Sequence, residues 1–271
     1  MEKKTTLPAV GDGVTEEDII PHLGAFGARA TLHTFDTLQS TNTVAKEYAE
    51  GRTDKVAALF IADGQTGGRG RRGRSFLSTP GRGVYMSLLC YPGGSADRAV
   101  AITAYTAVAV CRVIERLTGV SPGIKWVNDI YLGGRKIAGI LTEGSVNAEN
   151  GSLSYAVIGI GINVCKSDFG TLSDIATDIE SEVGIRLPRG RLAALITEEL
   201  LSGLDTVGSA AVAEEYRHRQ IILGRDVRVI KPKEEYIARA VDVTDSCRLR
   251  LSLPDGSEEL LSTGEVSLKL F

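Results

Sequence analysis

IKWVNDIYLGGRKIAGILTEG, residues 124–144, holds two β-rich runs on either side of Gly133-Gly134. Adjacent glycines between such runs supply the positive φ angles of a tight two-residue hairpin turn. With those glycines as the loop, Lys136 falls opposite Tyr131, and Asp129 becomes its diagonal neighbour on the same face. One face of the hairpin thus carries a cation and a carboxylate. Further on, LSYAVIGIGINV (153–164) is almost wholly apolar, which predicts a central strand buried on both faces. Gly159 and Gly161 alternate in it with isoleucines and leave one face bare enough for a ligand to lie against the backbone.

Working outward, KVAALFIA (55–62) predicts a strand that enters GGRGRRGR (67–74), and VYMSLLCY (84–91) the strand that leaves it. Helical patterns occupy TVAKEYAEG (43–51), the Ala-rich DRAVAITAYTAVAVCRVIERLTG (97–119), SDIATDIESEVG (173–184), RGRLAALITEELLSGL (189–204) and AAVAEEYRHRQ (210–220). TEEDIIPHLG near the start reads as one helix interrupted by Pro21. After residue 222 the pattern becomes RDVRVI, YIARAVDV, CRLRLSL and ELLSTGEVSL, short period-2 strands with turn chemistry at Pro254-Asp255-Gly256. The expectation is an α+β chain: an entry segment (1–30), a mixed-sheet domain (31–222) and a small β-barrel or sandwich (223–271).

Composition narrows the function. The 271 residues are 43% hydrophobic and 24% charged, and 31 Lys plus Arg stand against 34 Asp plus Glu. A net charge of −3 does not suit a polyanion binder. The basicity is local: GRGRRGR (68–74) puts four arginines and three glycines into seven positions. Glycines let successive N–H groups face one side, and arginine forks match phosphate or carboxylate oxygens. The loop is neither a Walker nor a Rossmann motif, and only Phe76 is near to stack on a base, so a nucleotide fits it better than a nucleic acid. Taken alone it also reads as a solvated basic loop. Cys90, Cys111, Cys165 and Cys247 form no C-x-x-C and share no metal spacing with the three histidines, which points to reduced thiols, no zinc and a cytoplasmic setting. No signal peptide is visible, and no apolar run reaches the ~20 residues of a membrane span.

Four motifs in order, QSTN (39–42), GQTGGRGRRGR (64–74), KWVNDIYLGGRKIAGILTE (125–143) and GIGIN (159–163), resemble those of the biotin–protein ligase family. The resemblance implies a mixed-sheet catalytic domain of the biotin/lipoate ligase type with a small SH3-like C-terminal barrel. It also implies an enzyme that joins biotin and MgATP into biotinyl-5′-adenylate and then acylates one lysine of a biotin carboxyl carrier domain. Carried over by position, Ser40, Thr41, Asn42, Gln65, Gly68, Arg69, Gly70, Arg71, Lys136, Gly139, Gly159 and Gly161 would hold biotin. Arg69, Arg71, Lys136 and Asn163 would serve the nucleotide, and Lys136, Arg71, Arg69 and Asp129 the chemistry, with no protein-held metal. Phe76 departs from the family's usual tryptophan, and Val127 stands where proline is common.

Singly, these residues have plainer readings: Lys136 as a solvated hairpin lysine, Ser40-Thr41-Asn42 as a helix N-cap, Asn163 as a turn residue, Trp126 as core. Their joint order carries the assignment. A related lipoate–protein ligase is the alternative enzyme. A biotin-responsive DNA-binding repressor is the third reading, disfavoured by the roughly thirty residues ahead of the first motif. The resemblance leaves a monomer or a homodimer open and calls for no membrane or nucleic acid.

Overall fold

The computed structural model describes residues 12–95, 98–231, 234–262 and 265–268. Residues 1–11 of the predicted entry segment, and 263–264 and 269–271 of the predicted barrel, lie outside the described residues. After α1 (Glu16–Ile19) the chain tightens into a 3₁₀ turn, Ile20–His22, where Pro21 sits. It then builds β1 (Thr31–Leu38), α2 (Thr41–Ala49), β2 (Ala58–Gln65), β3 (Gly83–Cys90) and α3 (Arg98–Thr118). Next come β4 (Gly123–Lys125), β5 (Asp129–Leu132), β6 (Arg135–Val146) and β7 (Leu153–Asn163). These strands form one sheet in the order β1-β2-β3-β7-β6-β5-β4. β1 and β2 run parallel, joined by α2, and the other pairs are antiparallel. The apolar β7 is the middle strand, as its composition predicts.

Both faces of β7 are covered, but unequally. Ile158, Ile160 and Ile162 enter the main core with Met86 and Leu88, beneath α3 and α5 (Arg189–Ser202). Every residue of α3 from Ile102 to Cys111 is buried, because the sheet, α5 and α6 (Ala210–His218) enclose it. A helix apolar all round has no other stable place. On the opposite face α2 seats Ala45 and Ala49 against Phe60, Leu89 and Val157.

The hairpin forms as its glycines require, with φ +55° at Gly133 and +80° at Gly134. Lys136 pairs with Tyr131, but a bulge then shifts the register and sets Asp129 opposite Gly139. One helix is shorter than the sequence predicts. Only Ile179–Val183 (α4) is α-helical, capped by Asp178, whose Oδ1 accepts Ser181 N–H at 2.7 Å. Residues 175–177 instead run beside Lys136: its N–H donates to Ile175 O and its C=O accepts Thr177 N–H, each at 2.9 Å. β7 ends before it reaches Lys136, so those backbone groups need another partner.

β8 (Asp226–Ile230), β9 (Glu235–Val243), β10 (Leu249–Ser252), β11 (Glu258–Leu261) and β12 (Glu265–Leu268) make a second, antiparallel sheet in the order β11-β10-β9-β8-β12. ELLSTGEVSL is thus two strands on opposite edges. Val227, Val229, Ala238, Ala240, Leu249 and Leu251 bury one face with period 2. This unit docks on the first through Trp126 Nε1–H to Cys247 O at 3.0 Å, inside the core, and Arg217 Nε–H to Val243 O at 2.6 Å. All four cysteines are free and buried, and no helix among the described residues is long and apolar enough to cross a membrane.

On the α2 face His33 stacks on Phe60 with centroids 4.7 Å apart and meets Tyr48 edge-on. Its Nε2 is buried without a hydrogen-bond partner. Burial, and then the Arg52 guanidinium, hold its pKa below the ordinary value against the opposing field of Glu16. The unfolded chain therefore takes up this proton first, so the stabilisation is complete above about pH 6.5 and is lost as pH falls below it. Urea midpoints measured between about pH 7 and pH 5 should fall in the wild type and fall less in His33→Phe. Equal slopes in the two proteins would exclude His33 as the source.

Candidate active site

The strand register lays one row of residues across the sheet: Tyr85, Gly161, Gly139, Asp129 and Lys125. The neighbouring row reads Ser87, Gly159 and Leu141. Glycines in the middle strands leave a trough floored by backbone, with a hydroxyl wall on one side and charged groups on the other. Its floor has no room for side chains of its own. A Cβ on Gly161 would lie 2.6 Å from the Phe76 ring, and one on Gly159 would lie 2.1 Å from Asn42 Oδ1. Phe76 thus packs on the glycine floor, with its ring 6.4 Å from that of Tyr85 in an edge-on arrangement.

At one end α2 supplies a buried polar group. Ser40 occupies the N-cap position but makes no capping bond. Instead Gln65 Oε1 accepts Thr41 N–H (2.9 Å) and lies 3.2 Å from Thr41 Oγ1, and Gln65 Nε2 donates to Ser78 Oγ at 3.0 Å. Ser87 Oγ–H donates to Asn42 Oδ1 at 2.5 Å. Asn42 Nδ2 donates to Leu141 O and to Glu143 Oε2, which fixes the way its amide faces. Glu143 is the hub of this end: Lys46 Nζ lies at 3.3 Å and Arg69 grips the carboxylate with both terminal nitrogens, at 3.1 and 3.2 Å. Burial pushes the Glu143 carboxyl up, but the Asn42 amide, Arg69 and Lys46 outweigh it and hold it below the usual range.

At the other end Lys136 reaches over Gly139, its Nζ 3.1 Å from where a Cβ would stand, and donates to Asp129 Oδ1 at 2.6 Å. Above it the arginine loop folds on itself through Gly70 N–H to Arg74 O (2.7 Å) and Phe76 N–H to Gly68 O (2.9 Å). Arg71 Nη1 donates to Asn128 Oδ1 at 3.2 Å, and Asn128 is tied to the Ile140 carbonyl at 2.8 Å. One cleft is lined by Ser40, Thr41, Asn42, Gln65, Arg69, Gly70, Arg71, Asp129, Lys136, Gly139, Gly159 and Gly161. Two residues singled out in the sequence lie outside that lining. Gly68 forms the neck of the loop, and Asn163 donates through Nδ2 to Thr177 O at 2.9 Å, bracing the segment beside Lys136.

The lining also holds Arg72, Arg74, Lys125 and Asn128, and Glu143 contacts it through Asn42 and Arg69, none of them among the expected site residues. Lys125 was findable from β4, since a third short strand puts it opposite Asp129. Glu143 follows from the alternation that places Gly139, Leu141 and Glu143 on one face. Among the described residues no group of three His, Cys, Asp or Glu side chains could hold a metal. Such a cleft suits a slender ligand with a polar head at Thr41 and Gln65, an apolar middle on the glycine backbone and an anionic end among Lys136 and Arg71.

Comparison with known proteins matches residues 34–163 to the biotin/lipoate A/B protein ligase family and residues 222–269 to the biotin protein ligase C-terminal domain. The bifunctional ligase/repressor BirA of Bacillus subtilis is 33% identical over 233 residues, 84% of this chain and 71% of that protein. The biotin–[acetyl-CoA-carboxylase] ligase of Mycobacterium tuberculosis is 28% identical over 242 residues, 84% of this chain and 85% of its own. A biotin protein ligase from Aquifex aeolicus, solved with biotin and ATP, superposes with a TM-score of 0.73 at 23% identity, covering 88% of this chain and 98% of that one. At that identity the superposition speaks for the fold. The matched segments hold the strands, loop and hairpin that build the trough, and on them the chain belongs to the biotin protein ligases of the biotin/lipoate A/B protein ligase family.

Proposed function

We propose that the chain is an ATP-dependent biotin–protein ligase that forms biotinyl-5′-adenylate and transfers biotin to one lysine of a carrier domain. The observation that carries this reading is Lys136, poised over a glycine floor between a buried polar end and the arginine loop. Biotin's ureido head suits Thr41, Asn42 and Gln65, its aliphatic chain the glycine backbone, and its carboxylate the Lys136 end. The matched C-terminal domain is that of biotin ligases, which favours biotin over lipoate. We take residues 31–222 as the catalytic unit and 223–271 as the domain that braces it.

In the first step a biotin carboxylate oxygen bonds to the α-phosphorus of ATP as pyrophosphate leaves. A carboxylate is already ionised near neutral pH, so no base is required. The difficulty is to bring two anions together. Lys136, Arg69 and Arg71 offset that repulsion and steady the charge that grows on the phosphate. Mg²⁺ would be carried by the ATP triphosphate and offset the charge of its oxygens, while Asp129, a carboxylate of the cleft lining, is engaged by Lys136. In the second step the carrier lysine's amine attacks the acyl carbon and AMP leaves. That amine has an intrinsic pKa of ~10.4 and must shed a proton. We assign Asp129 to orient that amine or to accept the proton, a role its 2.6 Å bond to Lys136 supports by setting the carboxylate in the cleft.

Biotin-dependent exchange of pyrophosphate into ATP isolates the first step. Lys136→Ala should lower it by about 10²- to 10³-fold, the usual cost of one preorganised contact to developing charge. Its melting temperature should stay near wild type, since the bonds beside residue 136 are made by its backbone. Near-normal exchange in this variant would remove Lys136 from the chemistry.

A further inference from the structure

At the tip of the arginine loop two neighbouring arginines leave in different directions. The backbone at Arg72 makes this possible, with φ +55° and ψ +39°, a left-handed conformation that side-chain-bearing residues rarely adopt. Arg71 stays over the cleft, on Asn128. Arg72 turns outward, and its Nη1 donates to the carbonyl of Ile230, the last residue of β8, at 2.8 Å. The bond joins residues 158 apart in sequence and crosses from the catalytic sheet to the C-terminal domain.

A second set of bonds converges on the same junction. The turn that carries Asn128 is held from beneath by Trp126 Nε1–H to Cys247 O and by Tyr216 O–H to Val127 O at 2.8 Å. Cys247, in the C-terminal domain, also has a positive φ, +60°. Among the described residues only Lys55, Arg72 and Cys247 combine a side chain with positive φ, so two of the three lie where this domain meets the cleft. Such backbone persists where surrounding contacts over-determine it. Arg72 is thus tied to the C-terminal domain directly, while Arg71 rests on an Asn128 turn that this domain braces through Trp126 and α6 braces through Tyr216.

We infer that Arg72 is a positioning residue, a latch through which the C-terminal domain sets the closed position of the arginine loop and hence how long the activated intermediate is retained. The latch rests on geometry alone, while its consequence for an adenylate rests on the ligase reading above. Arg72 borders the cleft beside Arg69 and Arg71, but its guanidinium is committed to the Ile230 carbonyl. Loosening that bond would let water and free intermediate pass while Arg69 and Arg71 keep their partners Glu143 and Asn128.

The test uses the full chain with Arg72→Asn, since asparagine tolerates the left-handed backbone but is too short to reach Ile230. Hydrogen exchange is followed by mass spectrometry at the Gly70, Arg74 and Phe76 amides, which close the loop on itself. Exchange should be roughly 3- to 10-fold faster than in wild type, the range one net hydrogen bond sets. Arg72→Gly, which keeps the backbone but adds chain entropy, should exchange at least as fast. Release of labelled adenylate into a chase of unlabelled biotin should accelerate by a similar factor. Wild-type exchange in Arg72→Asn would overturn the latch, and faster exchange with unchanged release would overturn its role in retention. A wild-type protein that makes no adenylate would sink the ligase reading and leave the exchange result to judge the latch.

Discussion

Gly139 and Gly161 stand side by side in adjacent central strands, and the absence of two side chains there is the constraint on which the site depends. A glycine in a strand interior costs roughly 0.5–1 kcal/mol relative to alanine. The same strand offsets that cost on its other face, where Ile158, Ile160 and Ile162 are buried and each contributes about 1.5–3 kcal/mol. The division of β7 into a packed face and a bare one thus follows from its alternation. Everything else in the cleft is arranged around that bare strip: α2 over Gly159, Phe76 over Gly161, Lys136 over Gly139.

The second requirement is to concentrate positive charge without disrupting the fold. Two carboxylates do this, each bound to particular cations. Glu143 collects Arg69 and Lys46 and also orients the Asn42 amide, so that one residue links the loop to the polar end. Asp129 holds Lys136. These pairs set cations at both ends of the trough, Arg69 and Lys46 at the polar end and Lys136 at the other. Catalysis by placement needs such preorganisation more than it needs a titrating base.

Much of this was legible in the sequence because it is local. Two adjacent glycines between β runs fixed the hairpin and the Lys136–Tyr131 pairing, and the unbroken apolar run of β7 placed it in the middle of the sheet. What escaped depends on partners distant along the chain. Residues 173–177 carry a helical pattern, yet 175–177 lie along Lys136, because β7 stops short and leaves backbone groups to satisfy there. The bulge after Lys136 changes the partner of Asp129 with no local signal. Phe76, read as a departure from the usual tryptophan, turns out to be the ring that packs on the glycine floor. The Arg72–Ile230 bond has no signature in either segment by itself.

A cleft that activates biotin and delivers it to a protein lysine has a direct readout in intact mass spectrometry of a biotin carboxyl carrier domain incubated with the protein, biotin and MgATP. The expected result is addition of a single biotin, confined to one lysine and lost when ATP is withheld or lipoate replaces biotin. A carrier that stays unmodified, or that accepts lipoate as readily, would contradict it.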